Sequence, residues 1–389
     1  MKTELNPFAK FLLRYNDTAP VTLNYANESD KQIYPQHYQS YNLITKDKLF
    51  ILESILFGYI SPWIIFLTFF ANSLIVIILI KGKKICRLKP IELILIALAI
   101  YSFLLALSPL PWYLYFFLTG GYRKTNLYGC YLFHYGVQGF PSMFHTMTIL
   151  STSFLAYQRY SGLYLNKYAV SCDTRHGTCS ALLFIVIFSI LFHAVGLFGY
   201  NIDIEISIQL NVSEDNPYIN YYCTRNMNPW FEKNHVIYEN LKNILRSILI
   251  DMIPFILMTT CNYYLIKAIQ KGKKNVKLLT EIRNRRNSMK AKDLTRSTRM
   301  LIVVVSIFLI TQFPILIVML IHISNQDLIG LKSWNIFMSL RNFLVILSTP
   351  ANFFVYCSMN KVFRRKFINL CKIHSYKREV ASNIETSEG

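Results

Sequence analysis

An all-α membrane protein, a seven-transmembrane bundle with a short amphipathic eighth helix, is the fold class this sequence predicts. Three observations carry it. The 389 residues are 53% hydrophobic and 16% charged, with mean hydropathy +0.31, too apolar for one soluble core. Seven apolar runs, each of the ~20 residues that cross a hydrocarbon core, fall at 55–80, 91–118, 130–160, 179–200, 240–268, 297–323 and 334–357. The net charge of +20 sits between and after them: Lys81 to Lys89, Lys271 to Arg299, and Lys361 to Arg378. That distribution argues against nucleic acid as a partner and, by the positive-inside rule, makes all three clusters cytoplasmic. Seven spans then put the N-terminus outside and the C-terminus inside.

Two further signals agree with this topology. The sequons at Asn16, Asn27 and Asn211 fall on the side the charge rule makes extracellular. Of eight cysteines, only Cys130 and Cys223 lie outside, so a single disulfide between them is the economical reading. No apolar core precedes a small-residue cleavage site near Met1, so the first span is expected to act as the targeting signal. The expected organisation is an extracellular glycosylated tail at 1–54, mostly disordered, the bundle at 55–357, an amphipathic helix at 358–372 and a cytoplasmic tail at 373–389.

The third span organises the rest. It runs almost uncharged from Cys130 to Gln158, Arg159 and Tyr160, with Pro141 disturbing its outer half. In the first span Asn72 must face the bundle, because a buried amide in lipid needs a partner. Pro109 and Pro111 kink the outer third of the second span and widen the extracellular side into a cavity. The fourth is uninformative, and the segment after it reads as a long loop, 201–239, holding Asn211, Cys223 and Trp230. Span five carries Arg246 and Asp251 before Pro254. A charge at mid-bilayer costs about 2.5–3.5 kcal/mol on the most lenient scale, so neither faces lipid. Pro314 hinges span six beside Gln312, and Arg341 lies in the outer part of span seven. Beyond it, Phe363, Phe367, Leu370 and Cys371 share one helical face opposite Arg364, Arg365 and Lys366, a lipid-surface helix with an acylation candidate at Cys371.

No enzyme constellation is present in the sequence, and no cofactor is expected. His134, His145, His193 and His322 stand singly on separate spans without metal-ligand spacing, and read as hydrogen-bonded interior groups. Arg246, Asp251 and Arg341 would suit a transporter's path, but the spans show no internal repeat or broken-helix pair.

The remaining pattern resembles the rhodopsin-like G-protein-coupled receptors. Asn72 looks like their first-helix Asn, Gln158-Arg159-Tyr160 like their Asp-Arg-Tyr motif, and Pro254 and Pro314 like their fifth- and sixth-helix prolines. Asn352 to Tyr356 resembles Asn-Pro-x-x-Tyr with Phe353 in the proline slot, and Ile149, Pro254 and Phe308 match the connector triad. The departures are specific. Ser102 replaces the second-helix Asp, which puts sodium regulation in doubt; Gln312 replaces the sixth-helix Trp, and Asn262 the fifth-helix Tyr. Gln158 and Leu294 remove both acids near Arg159, Cys130 is about a turn further from Arg159 than usual, and Pro141 stands where amine receptors place an Asp.

His145-Thr146-Met147-Thr148-Ile149, Gln158-Arg159-Tyr160, Gln312-Phe313-Pro314 and the Pro350 to Tyr356 run resemble the invertebrate sex peptide and myoinhibitory peptide receptors, near the myosuppressin and FMRFamide-type receptors. This resemblance implies a plasma-membrane receptor for an amidated neuropeptide, with peptide, heterotrimeric G protein and membrane lipid as partners. Gln158, Arg159, Tyr160, Asn352 and Tyr356 would serve coupling, and Ile149, Pro254, Phe308, Gln312 and Pro314 the hinge. Arg246, Arg341, Tyr113, Gln138 and Trp230 are the candidate ligand contacts. A chemosensory receptor of the same fold is the alternative, and a small-molecule transporter a more distant one.

Overall fold

The computed structural model describes residues 48–81, 88–119, 127–164, 174–209, 218–228, 235–281, 299, 302–314, 317, 331–359 and 363–369. Its helices are α1 (Lys48–Ile80), α2 (Pro90–Leu118), α3 (127–164), α4 (Arg175–Phe198), α5 (235–281), α6 (Ile302–Pro314), α7 (331–359, broken after Ser348) and α8 (Phe363–Asn369). Helices α1, α2 and α4 are each long and apolar enough to cross a membrane, as is Leu241–Gln270 within α5.

Prolines set the irregularities. A proline lacks the N–H that an α-helix would donate four residues back, and its ring crowds that carbonyl. The chain relieves this by widening into π-helix at Ser54–Ile60, Leu132–Gly139 and Arg246–Met252. Each stretch ends two residues before a proline: Pro62, Pro141 and Pro254. The π stretch in α3 lies between Cys130 and Pro141, where it takes up extra residues on the way to Arg159. In α2 the break falls at Ser108 and Pro109 as expected. There Gly136 of α3 comes so close that a Cβ would lie 2.9 Å from the Ser108 carbonyl oxygen.

Helix α3 is the central one, and this explains its polarity. His134, His145, Thr146, Thr148, Ser151, Thr152, Ser153, Gln158 and Ser161 are all buried. Facing protein rather than lipid, these groups find bonds: Thr146, Thr148 and Thr152 each donate to the carbonyl one turn back, at 2.8–3.0 Å. The outer half packs through an aromatic layer of Phe57, Trp112, Tyr113, Phe116 and Phe133, the inner half through Ile75, Ile78, Ile94, Leu98, Leu155 and Tyr356.

Several expected boundaries shift. The first helix begins at Lys48, inside the stretch expected to be tail, because Leu49, Phe50 and Glu53 are buried against the bundle. Ser339 of α7 donates a hydrogen bond to the Glu53 carboxylate, tying α1 to α7. Ser339→Ala removes a hydrogen bond from a buried acid, and is expected to cost about 1–3 kcal/mol, read as a lower unfolding temperature in detergent. Helix α5 continues to Glu281, beyond 268, through Lys- and Leu-containing sequence that favours helix.

The segment expected to be a loop contains an antiparallel hairpin, β1 (Tyr200–Gln209) with β2 (Tyr218–Met227). Alternating Ile202, Ile204, Ile206 and Ile208 carry the period-two pattern of a strand. The hairpin's base is fastened to α4: Asn228 Nδ2 donates to the Phe198 carbonyl at 2.9 Å, and its N–H to that of Gly199 at 3.1 Å. In α7 the break comes at Thr349 and Pro350, not in the slot occupied by Phe353. Helix α8 turns by 92° from the end of α7, and Phe363 is buried against Phe353 and Tyr356. Lys366 Nζ donates to the Ile78 carbonyl at 3.3 Å, capping the end of α1.

Candidate functional site

A charged and polar group of side chains gathers between α3, α5, α6 and α7. At its floor His145 and Gln312, both buried, face each other with Nε2 to Nε2 at 3.4 Å, and the His145 ring lies against Phe308, centroids 6.4 Å apart. Arg246, Arg341 and Asp251 are half-buried. Arg341 and Arg246 are within Coulombic reach of His145, and Asp251 is within reach of both arginines. Among the described residues no ion pair joins these three charges, and the Arg341 Nε is buried without a hydrogen-bond partner. Asp251 and Gln312 share the wall of a cavity of about 10 Å³ with Ile149, Ile250, Phe255, Met258 and Phe308. The expected connector pair Ile149 and Phe308 therefore meets the polar floor directly, while Pro254 is buried on the neighbouring turn of α5.

The π stretch explains how α5 presents its two charges together. Five residues apart on an α-helix, Arg246 and Asp251 would point about 140° away from each other. In π geometry, whose hydrogen bonds link i to i+5, the same spacing is about one turn. Gln138 is half-buried in the π stretch of α3. Tyr113 is elsewhere: it stacks on Phe57 at 5.0 Å in the α1–α2 aromatic layer, beside Glu53. Trp230 lies outside the described residues, as do Asn16, Asn27, Asn211, His322 and Cys371. Cys130 is disulfide-bonded. Cys223 lies on β2 opposite Ile204, and its side chain is outside what is described.

The interior histidines are hydrogen-bonded, as their sequence context suggested. His193 Nε2 meets Thr146 Oγ1 at 3.0 Å, and His134 Nε2 meets the Leu197 carbonyl at 3.2 Å. Both link α3 to α4. The roles of His145, His193 and Glu53 were not legible as site features, because nothing in their local spacing says which helices they join.

Below the floor, Ser102, His145, Thr148, Thr152, Ser348, Thr349 and Asn352 line a cavity of about 30 Å³ with apolar neighbours. At about 15 Å³ each it has room for two waters. No acid is among its lining residues, so a desolvated cation there would lack a counter-charge. The protein's unfolding temperature is accordingly expected to be the same in sodium chloride and choline chloride at equal ionic strength; stabilisation specific to sodium would overturn this. Thr349 also joins α7 to α1, through Thr68 Oγ1 at 2.8 Å and Asn72 Nδ2 at 3.5 Å.

At the inner end of α3, Gln158 Nε2 donates to Thr178 Oγ1 at 3.2 Å, and Thr178 to the Thr174 carbonyl at 3.0 Å. The residue that replaces an acid thus holds α4. Tyr160 packs against Tyr264 of α5 at 5.5 Å, and Arg159, half-buried, stands between these anchors. Asn262 Nδ2 donates to Ser306 Oγ at 3.4 Å, joining α5 to α6. The Tyr356 hydroxyl is buried, with no hydrogen-bond partner among the described residues.

A long central α3, charges gathered at one end of the bundle and a polar far end of α3 fit more than one kind of membrane protein, and comparison with known families decides which. The family model described as serpentine type 7TM GPCR chemoreceptor Srw matches residues 59–374. The chain belongs to this family. Among curated relatives, the receptor is 28% identical over 382 residues to the sex peptide receptor of Drosophila melanogaster, covering 92% of this chain and 84% of that protein. It is 29% identical over 329 residues to sex peptide receptor-related protein 2 of Caenorhabditis elegans, covering 81% and 71%. A crystal structure of squid rhodopsin superposes with a TM-score of 0.55 at 16% identity, covering 81% and 83%, a likeness of fold. The receptor is a multi-pass membrane protein with the seven-helix architecture, of a receptor class and not an enzyme class.

Proposed function

We propose that this receptor responds to an amidated neuropeptide at the plasma membrane and passes the signal to a heterotrimeric G protein, with its N-terminus and the Asn16, Asn27 and Asn211 sequons outside. The observation that carries the reading is the likeness, over 92% of the chain, to a protein named a sex peptide receptor. The peptide enters the outer cavity and engages Arg246 and Arg341, with Gln138 and Trp230 as further contacts. It shifts the equilibrium by binding the active arrangement more tightly than the resting one. The contact path runs from Asp251 and Gln312 through His145, Ile149 and Phe308 to α6, which swings at Pro314 and opens a cleft beside Arg159. Asn352 and Tyr356 adjust on α7. Gln158, bonded to Thr178, is not an acid, so the proposal includes either ligand-free nucleotide exchange or a substitute lock on Arg159 through Asn262 or backbone carbonyls. Cys371 is the proposed acyl site beyond α8.

Screening amidated neuropeptides against the full chain, with guanine-nucleotide exchange as readout, tests the reading; a peptide active at submicromolar concentration supports it. The second reading, a chemosensory receptor, is favoured by the family model's description as a chemoreceptor. Silence to every amidated peptide, together with expression in sensory endings rather than at neurosecretory targets, would transfer the conclusion to it.

A further inference from the structure

The charges around the outer cavity do not balance. Arg246 and Arg341 both act on His145, and the acid in reach of both arginines is Asp251. This holds among the described residues. Two arginines against one carboxylate leave an excess of one positive charge. Glu53, the other acid at this level, is bonded to Ser339, lies beside Tyr113 and is not among the groups acting on Arg341. Lys242 reaches toward α4, its Nζ 2.9 Å from where a Cβ on Gly196 would lie and 5.9 Å from the Tyr238 ring centre. The arginines are half-buried, and Arg341 keeps a buried Nε with no hydrogen-bond partner. Such groups are costly inside a membrane unless something of opposite charge meets them.

A neutral carbonyl offers an acceptor but no compensating charge. A carboxylate offers both, in the planar two-oxygen geometry that a guanidinium matches. We propose that the cavity binds a carboxylate of its ligand between Arg246 and Arg341, with Asp251 orienting Arg246 from its own π turn. The ligand class is therefore an acidic peptide. This rests on the reading of the cavity as a peptide site, and with an amidated C-terminus the carboxylate is an Asp or Glu side chain.

The test uses a panel of short synthetic peptides, each made in three versions: with Asp and a C-terminal amide, with Asn and an amide, and with Asn and a free C-terminal carboxylate. Exchange is measured on the full-length receptor in membranes, with surface labelling to set expression. The Asp-amide version of the active peptide is expected to exceed the Asn-amide version by about 30-fold or more in potency, the scale on which a buried charge pair is lost. Arg341→Gln, and separately Arg246→Gln, should bring the two within about threefold. Activity restricted to the free-carboxylate version keeps the carboxylate but moves it to the chain end, and overturns the amidated reading alone. Equal potency of Asp and Asn versions on the unmodified receptor overturns this inference and leaves the peptide reading standing. Silence of every peptide overturns both. The comparison on the unmodified receptor decides the outcome even if an arginine variant fails to reach the surface.

Discussion

Arg159→Ala is expected to abolish agonist-stimulated nucleotide exchange while the receptor still reaches the cell surface. Arg159 sits between two anchors that hold the inner end of α3: Gln158 bonds to Thr178 of α4, and Tyr160 packs on Tyr264 of α5. It is half-buried, so truncation opens no large void in the core. A guanidinium facing an opened cleft donates charge-assisted bonds worth about 1.5–3 kcal/mol each. Losing two would lower exchange by about 100-fold or more. Arg159→Lys, which keeps the charge but not the fork, is expected to recover part of it. Nucleotide exchange in membranes at matched surface expression checks this, and an undiminished response in the alanine variant would remove Arg159 from the mechanism.

The second large effect is expected from Cys130→Ser. Cys130 is disulfide-bonded at the outer end of α3, next to β1. Loss of a disulfide of this kind costs about 2–5 kcal/mol, enough to cut surface delivery. The same experiment identifies the partner. If Cys223 is bonded to Cys130, then Cys223→Ser lowers the unfolding temperature by the same amount, and the double variant is no worse than either single one, because the second change removes nothing further. Additive losses would assign Cys130 another partner.

Much of the fold is legible along the chain because the membrane constrains it. Runs of about 20 apolar residues, with basic clusters all assigned to one side of the membrane, leave few arrangements for the helices. The receptor family was legible too, through residues such as Arg159, Gln312 and Asn352 whose types and order recur together. Two local patterns say more than the coarse hydropathy does. The alternating isoleucines of β1 announce a strand within an expected loop, and Leu49 and Phe50 announce that the first helix starts before its apolar run.

Other features belong to space rather than to sequence. Nothing near Gln158 says that its amide turns to Thr178, 20 residues on, and nothing near Glu53 names Ser339, 286 residues away. Tyr113 reads as a cavity residue until the α1–α2 aromatic layer claims it. The sequence by itself determined a seven-helix receptor with two arginines and an aspartate in its outer half, because hydropathy and charge are properties of residue types. Only the tertiary structure decided that those charges converge. Pro254 widens the preceding turn of α5, the wider turn brings Arg246 and Asp251 toward one face, and packing sets Arg341 of α7 within reach of both.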